Sequence, residues 1–460
     1  MFERTARRRF NLHRRAIEQD LWSAVLTRAA LVVVTLFSVG NFQERIIPDG
    51  DTSNIQQYIV IAMWIVIAVV SFFRRKTLSI EPAPGVVAGL ALYFIAIASV
   101  GWSHDPLSSL TKVIALCVVM FGAYRLITTT VLDEIVECLI FGLFILNVAS
   151  VFLALFVPDI GVLTNWQHAG QWNGIFFSKQ TLGITGALLL FFACYRLLGG
   201  SGRLYYWAAA GTALACIIGS GSRGGGALAV VAVACVYLAG ASTSFAKILA
   251  FGPFFMSLLG GALIFYFVWT GNKYLLAFGE EIDFTERTFI WQHALGYFSS
   301  APLLGYGLNG FWTIKDVRDR FIERYGWFLD NYHDGYIAIV METGLVGLGV
   351  FMLGYLLYGL RILKDMRAKG ALDSDAKLAL VYTCQIFFID FTETIFLRST
   401  NIFSTMLVIA FLVGFARQPI PARTRHGVAE VERARPLRGT RSWRGEISRT
   451  RRNWRATGPH

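Results

Sequence analysis

Charge is scarce in this chain: 16% of its residues are Asp, Glu, Lys or Arg, against 55% hydrophobic, and the mean hydropathy is +0.53. That shortage excludes a soluble globular domain of this size, whose surface would need about 25% charged residues. Cysteines in ligand spacing are missing too. The six that exist, Cys117, Cys138, Cys194, Cys216, Cys235 and Cys384, lie inside apolar runs with no C-x-x-C among them. This excludes a cysteine metal site and reads them as small packing residues. No G-x-x-x-x-G-K-[ST] occurs, so a nucleotide P-loop is excluded as well. No small-residue cleavage site follows the first apolar run, and "MFERTARRRFNLHRR" therefore reads as a basic segment before a span that is its own insertion signal.

Long hydrophobic runs are abundant. Runs of roughly 18 to 25 apolar residues recur, each able to cross a hydrocarbon core of about 30 Å as a helix. Lipid leaves no partner for an open sheet edge, so the backbone must close its hydrogen bonds within helices. The fold class expected is an all-α polytopic membrane protein with about twelve spans, at 22–40, 54–73, 84–101, 109–127, 134–157, 180–198, 204–220, 224–243, 247–270, 335–360, 376–396 and 400–416. The organisation expected is a basic N-terminus over 1–20, spans one to nine over 21–270, a large loop over 271–334, spans ten to twelve over 335–416, and an Arg-rich tail over 417–460. The tail is too polar and Pro-interrupted to build a core and is expected to be disordered.

The net charge of +12 sits at the two ends. Residues 1–20 carry six Arg against three acids and residues 417–460 twelve Arg against three, so the charges between them cancel. On a membrane chain this is the positive-inside bias plus attraction to anionic lipid, and no nucleic-acid partner is expected. With the N-terminus inside, "RRK" at 74–76, Arg125, Arg196, Arg203, Lys247 and "RILKDMRAKG" at 361–370 all fall on the cytoplasmic side. Both termini are then cytoplasmic.

The opposite side holds "GWSHDPLSS" at 101–109, "PDIGVLTNWQHAGQWNGIFFSKQ" at 158–180, "GSGSRGGG" at 219–226 and the loop 271–334. His104, His168, His293 and His333 map there. A loop of about sixty residues with its own turns is a small subdomain, and such loops usually carry function. Within it, Asp283 and Glu286 have the D-x-x-E spacing of a helix cap. Ile290, Ala294 and Phe298 then recur every fourth residue, which predicts an amphipathic helix lying in the interface.

Five groups carry candidate chemistry. Arg223 in "GSGSRGGG" is either a snorkelling anchor or, with glycines that allow close backbone approach, a phosphate ligand. Lys179, before the sixth span, has the same two readings; Arg287 opens the loop helix, where an N-terminus and a guanidinium form an anion site. Three cations on one side of a bilayer suit a pyrophosphate. His333 is either a surface cap or a general base for a sugar hydroxyl, with Asp334 placed to orient it. Asp390 and Glu393, three apart, are expected on one face of the eleventh span, paired with those arginines or part of an ion pathway. Gly344, Gly347 and Gly349 read as helix-packing positions.

"SRGGG" opening a span, "ERTFIWQHALGYFSSAPLLGYGLNGF" in the large loop, and "HDGYIAIVMETGLVGLGVF" starting the next helix together resemble the O-antigen ligase and polymerase family. The resemblance runs over about residues 160–400. "NGIFFSKQTLG" is similar to a stretch of the exopolysaccharide-polymerase branch, and "FTETIFLRSTNIF" to the family's late Glu-containing helix. The family has His-Asn where this chain has His333-Asp334, and His-Lys-Asn where it has Ser178-Lys179-Gln180.

The resemblance implies a C-type glycosyltransferase of the bacterial inner membrane, its cavity open to the periplasm and to lipid. The donor implied is a glycan on a polyprenyl pyrophosphate, transferred with inversion. His333 would act as catalytic base; Arg223, Arg287, Lys179, Glu393 and Asp334 would bind substrate. No cofactor or metal is implied, since a lipid diphosphate is already a good leaving group. Membrane lipid and polysaccharide assembly and chain-length proteins are the other partners implied. Polymerase and ligase differ only in the acceptor. The rival readings are a proton-coupled secondary transporter, which twelve spans and the acids at 390 and 393 would fit, and a non-catalytic assembly scaffold.

Overall fold

The computed structural model describes residues 2–43, 46, 52–164, 168–272, 274–277, 280–283, 287–326, 329 and 331–417, with backbone alone for 2–19, 52–54, 264, 267–268, 274–277 and 280–283. The chain divides into Met1–Gln418 and Pro419–His460, and the second unit lies outside the described residues. So does the expectation about the tail.

The helices run α1 (Phe2–Ser38), α2 (Thr52–Val70), α3 (Pro84–Ala98), α4 (Pro106–Thr129), α5 (Leu132–Phe156), the short α6 (Pro158–Gly161), α7 (Lys179–Leu198), α8 (Leu204–Ser220) and α9 (Arg223–Ala241). They continue through α10 (Thr243–Ala250), α11 (Gly252–Thr270), α12 (Arg287–Gly296), α13 (Lys315–Tyr325), α14 (Gly335–Lys369), α15 (Ser374–Ile389) and α16 (Ile402–Val413). Two antiparallel pairs complete the described structure, β1 (Ser79–Ile80) with β4 (Ala416–Arg417) and β2 (Tyr274–Ala277) with β3 (Glu280–Asp283).

The chain is an all-α polytopic membrane protein. Among the described residues eight helices are long and apolar enough to cross a bilayer, or nine if α10 and the first part of α11, bent by 49° to each other, count as one. Each of the twelve expected runs holds a helix, but the count of spans falls short of twelve because α8, α15 and α16 have only 17, 16 and 12 residues. At about 1.5 Å per residue a 12-residue helix reaches about 18 Å, short of a hydrocarbon core of about 30 Å. α7 packs on α8 and α9, α9 on α15, α15 on α16, and α3 on α14.

The eleventh run departs from its pattern: the helix stops at Ile389, and residues 390–401 turn without helix before α16. Asp390 therefore does not share a helical face with Glu393. Its carboxylate accepts from Ile395 N at 2.8 Å and its carbonyl from Gly335 N at 2.8 Å, which fastens this segment to the start of α14.

A second departure lies inside α14. Gly344 has φ +67, and the helix breaks there. The carbonyls freed at Met341 and Glu342 accept from Tyr306 N at 2.8 Å and Gly307 N at 3.1 Å, while Leu345 N and Val346 N donate to Pro302 O and Leu303 O at 2.9 and 3.1 Å. The "APLLGYG" turn thus completes the backbone bonding of a broken span, the condition on which irregular backbone survives at membrane depth. The same turn is hooked to the α3–α4 connection: Leu308 N donates to Ser99 Oγ at 2.9 Å, and Ser109 Oγ to Leu308 O at 2.7 Å. Gly344 is therefore a conformational requirement rather than the packing glycine expected. Gly344→Ala is expected to destabilise the protein by more than about 1 kcal/mol, because alanine strains at positive φ and its Cβ would meet the Leu303 carbonyl. Thermal unfolding of the detergent-solubilised protein measures it.

The face that carries the α1–α16 loop ends opposite this turn is laced by ion pairs. Glu134 meets Arg28 and Arg74, Arg196 meets Asp133 and Glu137, and Glu81 and Asp365 share Arg361 and Arg417. These networks tie helix ends together on the side away from the site.

Candidate active site

The N-termini of α4, α7, α9, α14 and α16 come to one side of the bundle, each capped by a side chain. Asp105, Ser178, Ser222, Asp334 and Asn401 accept from Ser108 N, Thr181 N, Gly225 N, Ile337 N and Phe403 N. Five helix N-termini on one side favour negative charge there. Onto this side fold α12, α13 and the segment 390–401.

Three candidate residues converge. Arg287, the first residue of α12, places Nη2 3.0 Å from Glu393 Oε1, and His333 Nδ1 stands 3.8 Å from Glu393 Oε2. One carboxylate therefore bridges the guanidinium and the imidazole, with side chains 16%, 25% and 35% exposed for Arg287, Glu393 and His333. That leaves the cluster reachable from outside while screening it only partly. Glu286 of the expected cap lies outside the described residues.

His333 is held in the left-handed region at φ +49. Its N–H donates to Asn331 Oδ1 at 3.0 Å, Thr394 Oγ1 donates to the same oxygen at 2.7 Å, and Asp334 N donates to Thr394 Oγ1 at 3.2 Å. Asn331 and Thr394 thus link the strained histidine to the segment carrying Glu393. Backbone strain of this kind persists only where surrounding contacts over-determine it.

Asp334 corrects the sequence expectation. It is fully buried, and its carboxylate accepts from Ile337 N at 2.8 Å as the cap of α14; among the described residues no hydrogen bond or ion pair joins it to His333. The bond it makes is to the helix it starts, so the imidazole is not what its capping oxygen orients. Glu393 stands where Asp334 was expected. Burial pushes the Asp334 carboxyl up to about 7, against the opposing pull of the Ile337 and Tyr336 amides and of Arg287. A carboxyl raised in the fold stabilises it fully below about 4, its unfolded value, and loses that contribution as pH rises through about 7. Asp334→Asn keeps a capping oxygen and removes the titration. The variant is expected to melt with the parent at pH 4 and above it at pH 8.

Lys179 and Arg223 form a second group. Lys179 Nζ donates to Gln171 Oε1 at 2.6 Å and feels the charge of Arg223. Arg223 is exposed and has no carboxylate partner among the described residues. No described hydrogen bond or ion pair connects this pair with the Arg287–Glu393–His333 cluster. The glycines beside Arg223 serve packing as well: a Cβ at Gly225 would stand 2.6 Å from the carbonyl carbon of Gly183, so Gly225 lets α9 touch α7.

His293 does not join either group. Its Nε2 lies 2.9 Å from Val317 O, its ring stacks on Trp312, and burial lowers its pKa. Sequence reasoning also missed a pair: Arg398 forks onto Glu342, Nη1 to Oε2 at 3.0 Å and Nη2 to Oε1 at 2.9 Å, with Glu342 1% exposed. The signal was present, since one acid within a span calls for one cation at its depth.

Residues 208–352 match the model of the family described as O-Antigen ligase. The span includes Arg223, Arg287 and His333 and excludes Lys179, Glu393 and Arg398. That stretch, within a membrane fold, is what the chain has in common with the O-antigen ligases. The chain is also 30% identical over 196 residues to the exopolysaccharide production protein ExoQ of Rhizobium meliloti (strain 1021), an overlap covering 38% of this chain and 43% of that protein. The chain thus spans under half the length of the curated relative it matches.

Proposed function

We propose that this protein is a glycosyltransferase that polymerises lipid-linked oligosaccharide repeat units on the periplasmic face of a bacterial inner membrane, both termini being cytoplasmic. The observation that carries the reading is the bridge from Arg287 through Glu393 to His333, on the side of the bundle where helix N-termini gather. In the reaction, the acceptor hydroxyl oxygen bonds to the anomeric carbon as the bond from that carbon to the phosphate oxygen breaks. The diphosphate leaves with the electron pair, and the hydroxyl proton passes to His333. Attack opposite the leaving group inverts the carbon.

Nδ1 of His333 faces Glu393, which leaves Nε2 for the acceptor, and the carboxylate stabilises the imidazolium formed. Arg287 neutralises charge developing on the diphosphate, the kind of preorganised cation that favours a transition state. Because Glu393 occupies Arg287 beforehand, an arriving diphosphate displaces that carboxylate, and Glu393 is released toward the histidine. Lys179 and Arg223 bind the distal phosphate or the growing glycan.

The name of the relative, an exopolysaccharide production protein, supports chain building; the family's description as a ligase favours transfer to a finished lipid core as the second reading. Purified protein incubated with polyprenyl pyrophosphate glycan alone separates them. A polymerase makes longer chains, whereas a ligase makes none until a second acceptor is added. Proton-coupled uptake without transfer, in reconstituted vesicles, would sink both.

A further inference from the structure

The face opposite the site carries a groove that the reaction does not use. Where α10 and α11 meet at 49° and the last turns of α14 pass beside them, Lys247, Ile248, Phe251, Phe255, Leu363 and Arg367 line an open depression of about 420 Å³. Its walls are apolar and face outward: Ile248 is 69% and Phe255 61% exposed. Its rim holds two cations, Lys247 in the last turn of α10 and Arg367 in the last turn of α14. Neither has a carboxylate partner among the described residues, since the nearby acids are taken: Asp365 by Arg361 and Arg417, and Asp373 by Lys369.

Each half of this groove has an ordinary explanation alone. Cations at helix C-termini complement the macrodipole, and apolar residues at a span's surface meet lipid. Their combination is more selective. An unpaired ammonium and guanidinium at the mouth of one apolar slot are satisfied together only by an amphiphile with an anionic head and a hydrocarbon tail. A free anion meets the cations but not the aromatic walls, and a zwitterionic lipid brings its own cation toward Lys247 and Arg367.

We propose that this groove binds an anionic phospholipid, its phosphate between Lys247 and Arg367 and an acyl chain laid over Phe251 and Phe255. The site is independent of the glycosyltransferase reading. It also bears on the reaction centre, because α11 packs against α12, the helix that begins with Arg287.

The test uses the purified full-length chain, delipidated in nonionic detergent and titrated with phosphatidylglycerol or with phosphatidylcholine of the same acyl chains. Bound lipid is counted by native mass spectrometry and stability is followed by thermal unfolding. Phosphatidylglycerol is expected to bind about 25-fold more tightly and to raise Tm. Each cation contributes about five-fold, so the double variant Lys247→Gln, Arg367→Gln is expected to lower phosphatidylglycerol affinity by about 25-fold and to leave phosphatidylcholine unchanged. Phe255→Ser, at an exposed wall, should weaken both lipids without altering their ratio, and Lys315→Gln on the other face should change nothing. Equal binding of the two lipids, unchanged affinity in the double variant, or equal stabilisation by glycerol phosphate without acyl chains would overturn the proposal.

Discussion

Replacing His333 with alanine is expected to lower chain growth by about 10²- to 10⁴-fold, the usual contribution of a positioned general base, while membrane abundance stays as in the parent. The side chain is 35% exposed and makes no described hydrogen bond through its ring, so little packing is lost with it. One complication is separable. His333 sits at φ +49, where alanine is strained and asparagine is not. His333→Asn preserves the backbone and removes the base, so it should be as inactive as His333→Ala. Recovery of activity by asparagine would assign the loss to conformation and not to proton transfer, and normal polymer from either variant would remove the histidine from the mechanism. Glu393→Gln belongs in the same series. It keeps the shape beside Arg287 and the imidazole but withdraws the negative charge, and it should lower kcat more than it changes KM.

Arg398→Ala is expected to cost about 3–5 kcal/mol of stability, the usual cost of stripping a buried charge of its partner. Glu342 is 1% exposed and both of its oxygens are taken by the Arg398 guanidinium. Removing the cation leaves a buried carboxylate uncompensated, beside the break at Gly344 where the "APLLGYG" turn is docked. Removing both charges is another matter: Glu342→Met with Arg398→Leu should recover most of the stability, since a buried ion pair is often no better than apolar residues of similar volume. Thermal unfolding of the two single variants and the double variant gives the coupling directly. If Arg398→Ala melts with the parent, the fork does not hold the 390–401 segment to α14. The double variant also informs on function. Stability recovered without activity would show that the pair orients the loop bearing Glu393.

How far the site was legible from residues alone differs from one group to the next. Arg287 and His333 were identifiable because a cation at a helix start and an imidazole at a span's lip are local features. Glu393 was singled out for a different reason, as one of two acids thought to share a helical face. The face does not exist, since α15 ends at Ile389, but the pairing with an arginine does. Asp334 was misread because adjacency in sequence says nothing of direction: with its N–H held by Thr394 and its oxygen by Ile337, it points into the helix it caps. Arg398 went unused, although Glu342 already required a partner.

The sequence by itself determined the membrane class and most of the helical runs. Hydrophobic length and loop composition are local sums, and lipid enforces them without reference to distant neighbours. Only the tertiary structure decided which charges meet. The break at Gly344, the docked turn at 302–307 and the non-helical return at 390–401 set the path by which Glu393 reaches both Arg287 and His333. Such paths are made by irregular segments whose bonds go to remote backbone, and no periodicity along the chain records them.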